Sequence, residues 1–327
     1  MLNNKWWIGA LTGSLLLLQG CQNTPQAERL SGSILNNVSS SKLIKDVPFY
    51  PQQKFFCGPT TLSEVLNFYG HSTTPETIAK SLFIPGREGS LQLEMISAAR
   101  SYGLLPYSTQ SDFETLFSLI DNNVPVIVFQ NVATSWFPMW HYALVIGYDQ
   151  IQKKIILHTG ETQAHEMSYE LFERVWQRGN YWVLALLKSG QTHRYLDPFI
   201  YTKAAHDMLK VGKNEAALNH LTTATKDWPQ EWLSYFLLGN HYLNISDEAA
   251  SWFSKGYKYA ADKPEYLNNY GYALVQQGCI DEAKKLIKAA LKLAPNDQNL
   301  LSTQIEFDLI SVPSETSLQD HCASYTI

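Results

Sequence analysis

The sequence predicts an α+β domain followed by an all-α domain of helical repeats. In the first half, helical apolar patterns precede β-type runs, and we expect strands at 125–129, 141–148, 154–157 and 181–187. From about Pro198 the composition shifts to Ala, Leu, Lys, Asn and Tyr at helical spacing. A chain of 327 residues is long enough for two domains that each bury a core.

Composition and charge exclude several classes of protein. The chain is 45% apolar and 17% charged, which excludes a disordered tail or a collagen-like repeat. A formal charge of −5 gives no basic excess for nucleic acid. Four cysteines are too few for a disulfide framework. Because the sequence has no HExxH, paired CxxC or phosphate-binding glycine loop, we expect neither a metal nor a nucleotide cofactor.

The first twenty residues predict an export signal. Lys5 precedes an apolar run at 6–18, which is too short to cross a hydrocarbon core of about 30 Å. The run ends in Leu18-Gln19-Gly20-Cys21, which resembles the lipobox of bacterial lipoproteins. That resemblance implies acylation of Cys21, for example by palmitate, and a mature chain that starts there on a membrane. A plain signal with an incidental cysteine is the alternative.

The residues after the first cysteine predict a tether and a location. The segment 21–43 is rich in Gln, Asn, Ser and Thr and is expected to be a flexible tether. Gln22, where some envelope lipoproteins have Asp, implies by the same resemblance the periplasmic face of the outer membrane.

A second cysteine is predicted at the start of a helix. Cys57-Gly58-Pro59 precedes apolar residues at helical spacing that end at Gly70, and proline fits a first helical turn. Unpaired N–H groups and the helix macrodipole favour a negative charge there, so we expect a lowered thiol pKa. Cys57 is therefore a candidate nucleophile. The alternative is a small buried apolar residue.

A thiolate nucleophile needs a histidine that accepts its proton and later protonates the leaving group. The chain has nine histidines, and His141 has the suitable setting because it opens an apolar β-type run that ends at Gly147. A histidine at the mouth of a buried strand is held rigidly. By default, we expect each of the other eight histidines to have only a structural role, with its ring nitrogens hydrogen-bonded.

Together these motifs resemble the C39-like cysteine peptidases, which have a papain-like fold and include the leader-cleaving domains of bacteriocin exporters. The resemblance covers about 44–190 and rests on Gln52, Cys57-Gly58-Pro59 and the run 141–149. It implies that Cys57 is the nucleophile and His141 the general base and acid. Gln52 would donate a hydrogen bond to the oxyanion together with the Cys57 N–H. Gln53 is one position off the family spacing.

The third catalytic position departs from the family pattern. The family usually has Asp after the strand that follows the histidine, but 155–161 contains none. His158, Thr159, Glu161 or a backbone carbonyl could orient the imidazole, and His158 is the residue we assign to this role. The gap leaves a second hypothesis, in which the domain is a catalytically weak or inactive papain-like scaffold.

The second half contains a repeated phrase. Glu215, Glu248 and Glu282 each follow Asn or Asp and precede Ala, at separations of 33 and 34 positions. That period resembles tetratricopeptide repeats, expected over 198–298 with a C-terminal tail at 299–327. A chance helical bundle is the alternative. The resemblance implies a concave face that binds a peptide or protein partner.

The sequence thus predicts a membrane-anchored cysteine peptidase that hydrolyses peptide bonds, with repeats that recruit substrate or a partner. Two features stay open. The aromatic loop 136–140 could wall a substrate cleft or pack as core. Cys279 and Cys322 could form a disulfide in an exported compartment, but the sequence does not give the distance between them.

Overall fold

The computed structural model describes residues 23–86, 89–311 and 321–325. The predicted signal peptide and Cys21 lie outside these described residues. Two compact units are present. The first contains the described residues up to 95 together with 109–185, and the second contains 96–108 together with those from 186 onward. No helix within the described ranges combines the length and apolar character needed to span a membrane.

Six of the seven described strands, all except β2, have antiparallel partners in the sheet. Their bounds are β1 Ser41–Leu43, β2 Leu105–Gln110, β3 Val126–Asn131, β4 Trp140–Asp149, β5 Lys154–Thr159, β6 Thr162–Ser168 and β7 Trp182–Leu187. Neighbouring strands follow the order β7-β3-β4-β5-β6, and β1 pairs with the far end of β4. The register places Gln130 opposite His141 and Leu144 opposite His158.

Among the described residues, six helices start before residue 170. Their bounds are α1 Pro25–Ser31, α2 Cys57–Phe68, α3 Pro75–Leu82, α4 Gln92–Ser101, α5 Phe113–Asp121 and α6 Tyr169–Arg178. Helix α2 begins at Cys57, as its proline in the first turn predicts. Its inner face buries Leu62, Val65 and Leu66 completely. This burial fixes the helix that carries the cysteine, because these apolar side chains are removed from water.

The expectation of a flexible tether at 21–43 differs from the structure. Part of this segment is α1, which packs on α6 and buries Ala27 and Leu30. The N–H groups of Gln26 and Ala27 donate to the buried Glu173 carboxylate at 3.0 and 2.6 Å. The polar composition of this segment did not predict the helix. Two buried apolar residues and one carboxylate distant in sequence are enough to hold it on the domain.

The second unit is helical from residue 198 to 308. Its helices are α7 Pro198–Lys210, α8 Asn214–Asp227, α9 Trp232–Tyr242, α10 Glu248–Ala260, α11 Pro264–Gln276, α12 Ile280–Leu293 and α13 Gln298–Asp308. Each repeated Glu-Ala phrase lies in the first turn of the second helix of a pair. The predicted fold class, an α+β domain followed by helical repeats, is confirmed. Gly256 shows why small residues recur: a Cβ there would lie 2.5 Å from the Cβ of Tyr235.

The end of the chain differs from the expected tail. Helix α13 occupies 298–308 and buries Leu300 and Phe307, so the helical array extends past residue 298. Cys279 and Cys322 form a disulfide that closes 43 positions of sequence. The pairing left open by the sequence is therefore present in the structure.

Candidate active site

One cavity of about 1080 Å³ in the first unit is lined by three of the four predicted catalytic residues, and His158 is not among its lining residues. Gln52, Cys57 and His141 all line it, although they come from a loop, a helix start and a strand. Further lining comes from Ser90, Leu91, Leu93, Phe129, Met139, Trp140 and Tyr142. The fold thus gathers residues that are far apart in sequence into one concave site, as a catalytic cleft requires.

The Cys57 thiol is half-buried at the first position of α2. Burial raises its pKa, and the backbone N–H groups of Tyr142, Gly58 and Cys57 itself oppose this shift. The expected lowering of the thiol pKa is therefore wrong, since desolvation outweighs the effect of the helix N-terminus. The interaction with the Tyr142 amide places the sulfur beside the residue that follows His141.

His141 is the second residue of β4 and is held at one ring nitrogen. Its Nε2 lies 2.9 Å from the Thr159 hydroxyl oxygen. Burial lowers the pKa of His141 to about 4, so the imidazole is neutral near pH 7. Among the contacts of the described residues, no hydrogen bond joins the imidazole to the Cys57 sulfur. The Nδ1 atom remains for proton exchange with a cavity group.

The Gln52 side chain has an unusual environment. Its backbone N–H donates to the Gly160 carbonyl at 3.0 Å, which fixes the loop against the end of β5. Both side-chain amide atoms are buried and have no hydrogen-bond partner among the described residues. A buried amide without a partner is costly unless a ligand satisfies it. Gln53 also lines the cavity but is exposed.

The three candidates for orienting the imidazole occupy different places. Thr159 contacts His141 directly, whereas His158 points to Glu64, with its Nδ1 3.8 Å from the Glu64 Oε2. Glu161 is exposed at the turn between β5 and β6. The structure therefore brings Thr159, rather than His158, to the imidazole. A hydroxyl can fix the ring tautomer but, unlike a carboxylate, it brings no negative charge to an imidazolium.

The aromatic loop before β4 is exposed rather than buried in a core. Trp136 and Phe137 are 89% and 83% exposed, and Met139 and Trp140 line the cavity. The Trp140 ring stacks on Phe129, with centroids 5.1 Å apart and planes 9° apart. Of the two open readings of this loop, the structure therefore agrees with a cleft wall.

Sequence reasoning missed Asn131, which organises this loop. Its buried side-chain oxygen accepts from the N–H groups of Ala133 and Met139, and its side-chain nitrogen donates to the Thr134 carbonyl. The Arg178 guanidinium holds the Asn131 carbonyl at 3.0 Å. An asparagine at the end of an apolar strand, just before an aromatic loop, was the available signal.

A cysteine at a helix start and a histidine on an antiparallel strand, sharing one cleft, are the arrangement of a papain-like cysteine peptidase domain. Residues 44–181 match the Peptidase_C39 like family. Residues 240–297 match the YpiA-like, C-terminal tetratricopeptide repeats. These matches confirm the prediction of a C39-like peptidase domain joined to tetratricopeptide repeats.

Solved structures give further similarities to the peptidase part. One is described as a C39-like peptidase from Bacillus anthracis, at 17% identity and TM-score 0.38, covering 45% of this chain and 98% of that one. The peptidase domain of Streptococcus ComA, a bifunctional ABC transporter of a quorum-sensing pathway, has 24% identity and TM-score 0.36, covering 45% and 97%.

A double glycine motif protease from an AMS/PCAT transporter, solved with its leader peptide, has 22% identity and TM-score 0.36 and covers 44% of this chain and 93% of that one. No curated protein matches this chain.

Proposed function

We propose that this protein is a membrane-anchored cysteine peptidase that hydrolyses peptide bonds. The observation that carries the proposal is the meeting of Gln52, Cys57 and His141 in one cavity. The family match over 44–181 supports the reaction class. The repeats of the second unit recruit a peptide substrate or a protein partner, in line with their match to tetratricopeptide repeats.

In the proposed first step, His141 takes the Cys57 thiol proton and the sulfur attacks the scissile carbonyl carbon. The carbonyl electron pair moves to oxygen, and this oxyanion accepts hydrogen bonds from the Gln52 amide and the Cys57 N–H. The imidazolium then protonates the leaving amine as the C–N bond breaks. This step leaves a thioester on Cys57.

In the second step, His141 removes a proton from water, which attacks the thioester carbonyl. The tetrahedral intermediate collapses, releases the carboxylic acid and returns the thiol with the proton from His141. Because burial favours the neutral form of both groups, we expect the proton to pass from Cys57 to His141 as the sulfur attacks, rather than before it. We expect turnover to be slower than with a carboxylate next to His141.

A second candidate function is a non-catalytic peptide-binding scaffold. It is favoured by the raised pKa of the Cys57 thiol and by the Thr159 hydroxyl next to His141, since no hydrogen bond or ion pair joins this imidazole to a carboxylate of the described residues. Incubation of the wild type, Cys57→Ala and Cys57→Ser with a peptide library separates the two functions. Cleavage by the wild type alone supports the peptidase. Binding without cleavage by all three supports the scaffold, and equal cleavage by all three indicates contamination.

Membrane attachment through Cys21 is part of this proposal. It rests on the lipobox resemblance in the sequence, since Cys21 lies outside the described residues. Globomycin-sensitive processing and labelling with radioactive palmitate, compared between wild type and Cys21→Ala, test it. Retention of Cys21→Ala in the membrane fraction would contradict the anchor.

A further inference from the structure

We propose that Glu64 is a positioning residue that holds together the three segments carrying Gln52, Cys57 and Thr159. The inference rests on the proposed peptidase function, because it assigns a supporting role for that site. Glu64 contacts two of the three segments and belongs to the third. It does not line the cavity itself.

The first segment is α2. Glu64 follows Cys57 by seven residues, which is two helical turns, so both side chains lie on the same side of the helix. Glu64 is fully buried, as are its sequence neighbours Leu62, Val65 and Leu66. A carboxylate at such a position is unfavourable unless it is paired, and a leucine would pack more easily there. Burial raises the pKa of Glu64, and the contacts to His158 and Tyr50 oppose this shift.

The second segment is the end of β5. The Glu64 Oε2 lies 3.8 Å from the Nδ1 of His158, and both side chains are buried. The Phe49 ring packs edge-on against the imidazole of His158 at 5.2 Å. Because the next residue is Thr159, whose hydroxyl contacts His141, a displaced His158 moves the group that orients the imidazole.

The third segment is the loop 48–52. The Tyr50 N–H donates to the Glu64 Oε1 at 3.0 Å. Two residues further on, Gln52 is fixed to Gly160 by its own backbone N–H. Glu64 thus holds the loop by a hydrogen bond and lies beside His158 of β5 at 3.8 Å, a buried contact in which neither atom has a hydrogen-bond partner among the described residues. Asn67, one turn later in α2, adds a bond from its side-chain nitrogen to the Tyr50 hydroxyl at 3.2 Å.

Variants of the full chain test this role against a matched control. Glu64→Ala removes both contacts, whereas Glu64→Gln keeps an acceptor for the Tyr50 N–H and loses the charge. Glu173 is the control: it is equally buried, and its bonds go to Gln26, Ala27 and Tyr181, none of which lines the cavity. The measurements are kcat and KM on a cleaved peptide, the Tm, and the rate of Cys57 alkylation between pH 6 and 9.

We expect Glu64→Ala to lower kcat by about tenfold or more with KM within about twofold, since a small misplacement of reacting groups has effects of this size. Glu64→Gln recovers part of the loss. Glu173→Ala lowers the Tm but keeps kcat within about twofold of wild type. Alkylation of Cys57 in the Glu64 variants has an altered pH profile, whereas the Glu173 variants keep the wild-type profile.

Two results would overturn the positioning role: an unchanged kcat in Glu64→Ala, or an equal loss of kcat in Glu173→Ala at the same loss of Tm. If Glu64→Ala does not fold, the comparison of Glu64→Gln with Glu173→Gln decides in the same way. A wild type that cleaves no peptide contradicts the proposed function, and the alkylation profiles then decide the role of Glu64 by themselves. Identical profiles for wild type and Glu64→Gln would overturn it.

Discussion

The Nε2 of His141 lies 2.9 Å from the hydroxyl oxygen of Thr159, at the end of the neighbouring strand. This hydroxyl occupies the place where a general base usually meets a carboxylate. It fixes the direction of the ring and leaves Nδ1 for the cavity, but it contributes no charge. If His141 acts as the general base, as we propose, it therefore depends on a neutral neighbour.

Changing Thr159 tests that dependence. Thr159→Val removes the hydrogen bond at nearly constant volume, and we expect it to lower kcat by about tenfold because the imidazole loses its fixed orientation. Thr159→Asp adds a negative charge that stabilises the imidazolium, and we expect kcat to rise by about tenfold. Peptide hydrolysis is the measurement.

The matched control is Thr162→Val, which changes an exposed threonine opposite Thr159 in the register of β6. Its kcat should equal that of the wild type. An inactive Thr159→Asp variant that keeps the wild-type Tm would argue against an orienting role for this position.

The pH dependence of Cys57 alkylation tests whether the Cys57 thiol and the His141 imidazole are both neutral near pH 7. With the thiol pKa raised and the pKa of His141 at about 4, both groups are neutral between these values. The thiolate fraction then rises by about tenfold per pH unit, so the iodoacetamide rate should climb steadily from pH 6 to 8 without a plateau. A plateau beginning near pH 5 would reveal a preformed thiolate–imidazolium pair.

The same histidine predicts a loss of stability in acid. Its folded pKa of about 4 lies below the ordinary 6.5, so the unfolded chain binds the extra proton first as the pH falls. The free energy of unfolding should decrease by about 2 kcal/mol between pH 7 and pH 5 through this group. Chemical unfolding of wild type and His141→Gln at both pH values measures it. Equal pH dependence in the two proteins would contradict the buried neutral imidazole.

The exposed aromatic loop should contribute to substrate binding. We expect the double change Trp136→Ser and Phe137→Ser to raise KM by about tenfold and leave the Tm unchanged, because both side chains are exposed and their burial occurs only with substrate. Ile151→Ser is the control, because this exposed apolar residue follows the end of β4 opposite to the aromatic loop. An unchanged KM would show that substrate does not reach the loop.

The disulfide between Cys279 and Cys322 should stabilise the helical array. Closing 43 positions of chain predicts a contribution of up to about 4 kcal/mol from the entropy of the unfolded state. The double change Cys279→Ser and Cys322→Ser should therefore lower the Tm of the second unit, as dithiothreitol should in the wild type. The Cys57 alkylation rate at a temperature below both transitions serves as the control and should stay constant.

Local sequence patterns were sufficient to predict the helix of Cys57, the strand of His141 and the repeats. The strands β1, β2 and β6 were missed; in β6 the cause is visible, since most of its residues are exposed and polar and give no apolar alternation. Helix α1 was missed because its docking depends on Glu173, about 146 positions away.

The sequence was a better guide to which residues line the site than to their protonation and contacts. The direction of the Cys57 pKa shift was wrong because desolvation comes from tertiary packing, which helix position alone does not reveal. Thr159 was one of several open choices, and only strand pairing separates it from His158, whose side chain lies on the opposite face. Glu64 was missed because it stands within an apolar helical pattern.

If Cys21 is acylated, as we propose, the docking of α1 limits the distance between the cleft and the bilayer. Thr24 is already buried in the folded unit, and only two residues lie between it and Cys21. A connection of this length spans about 10 Å at most. If acyl chains hold Cys21, the first unit lies next to the lipid headgroups. Polypeptides at the membrane surface would then be within reach of the cleft. A polypeptide free in solution would have to reach the membrane surface before the proposed cleavage.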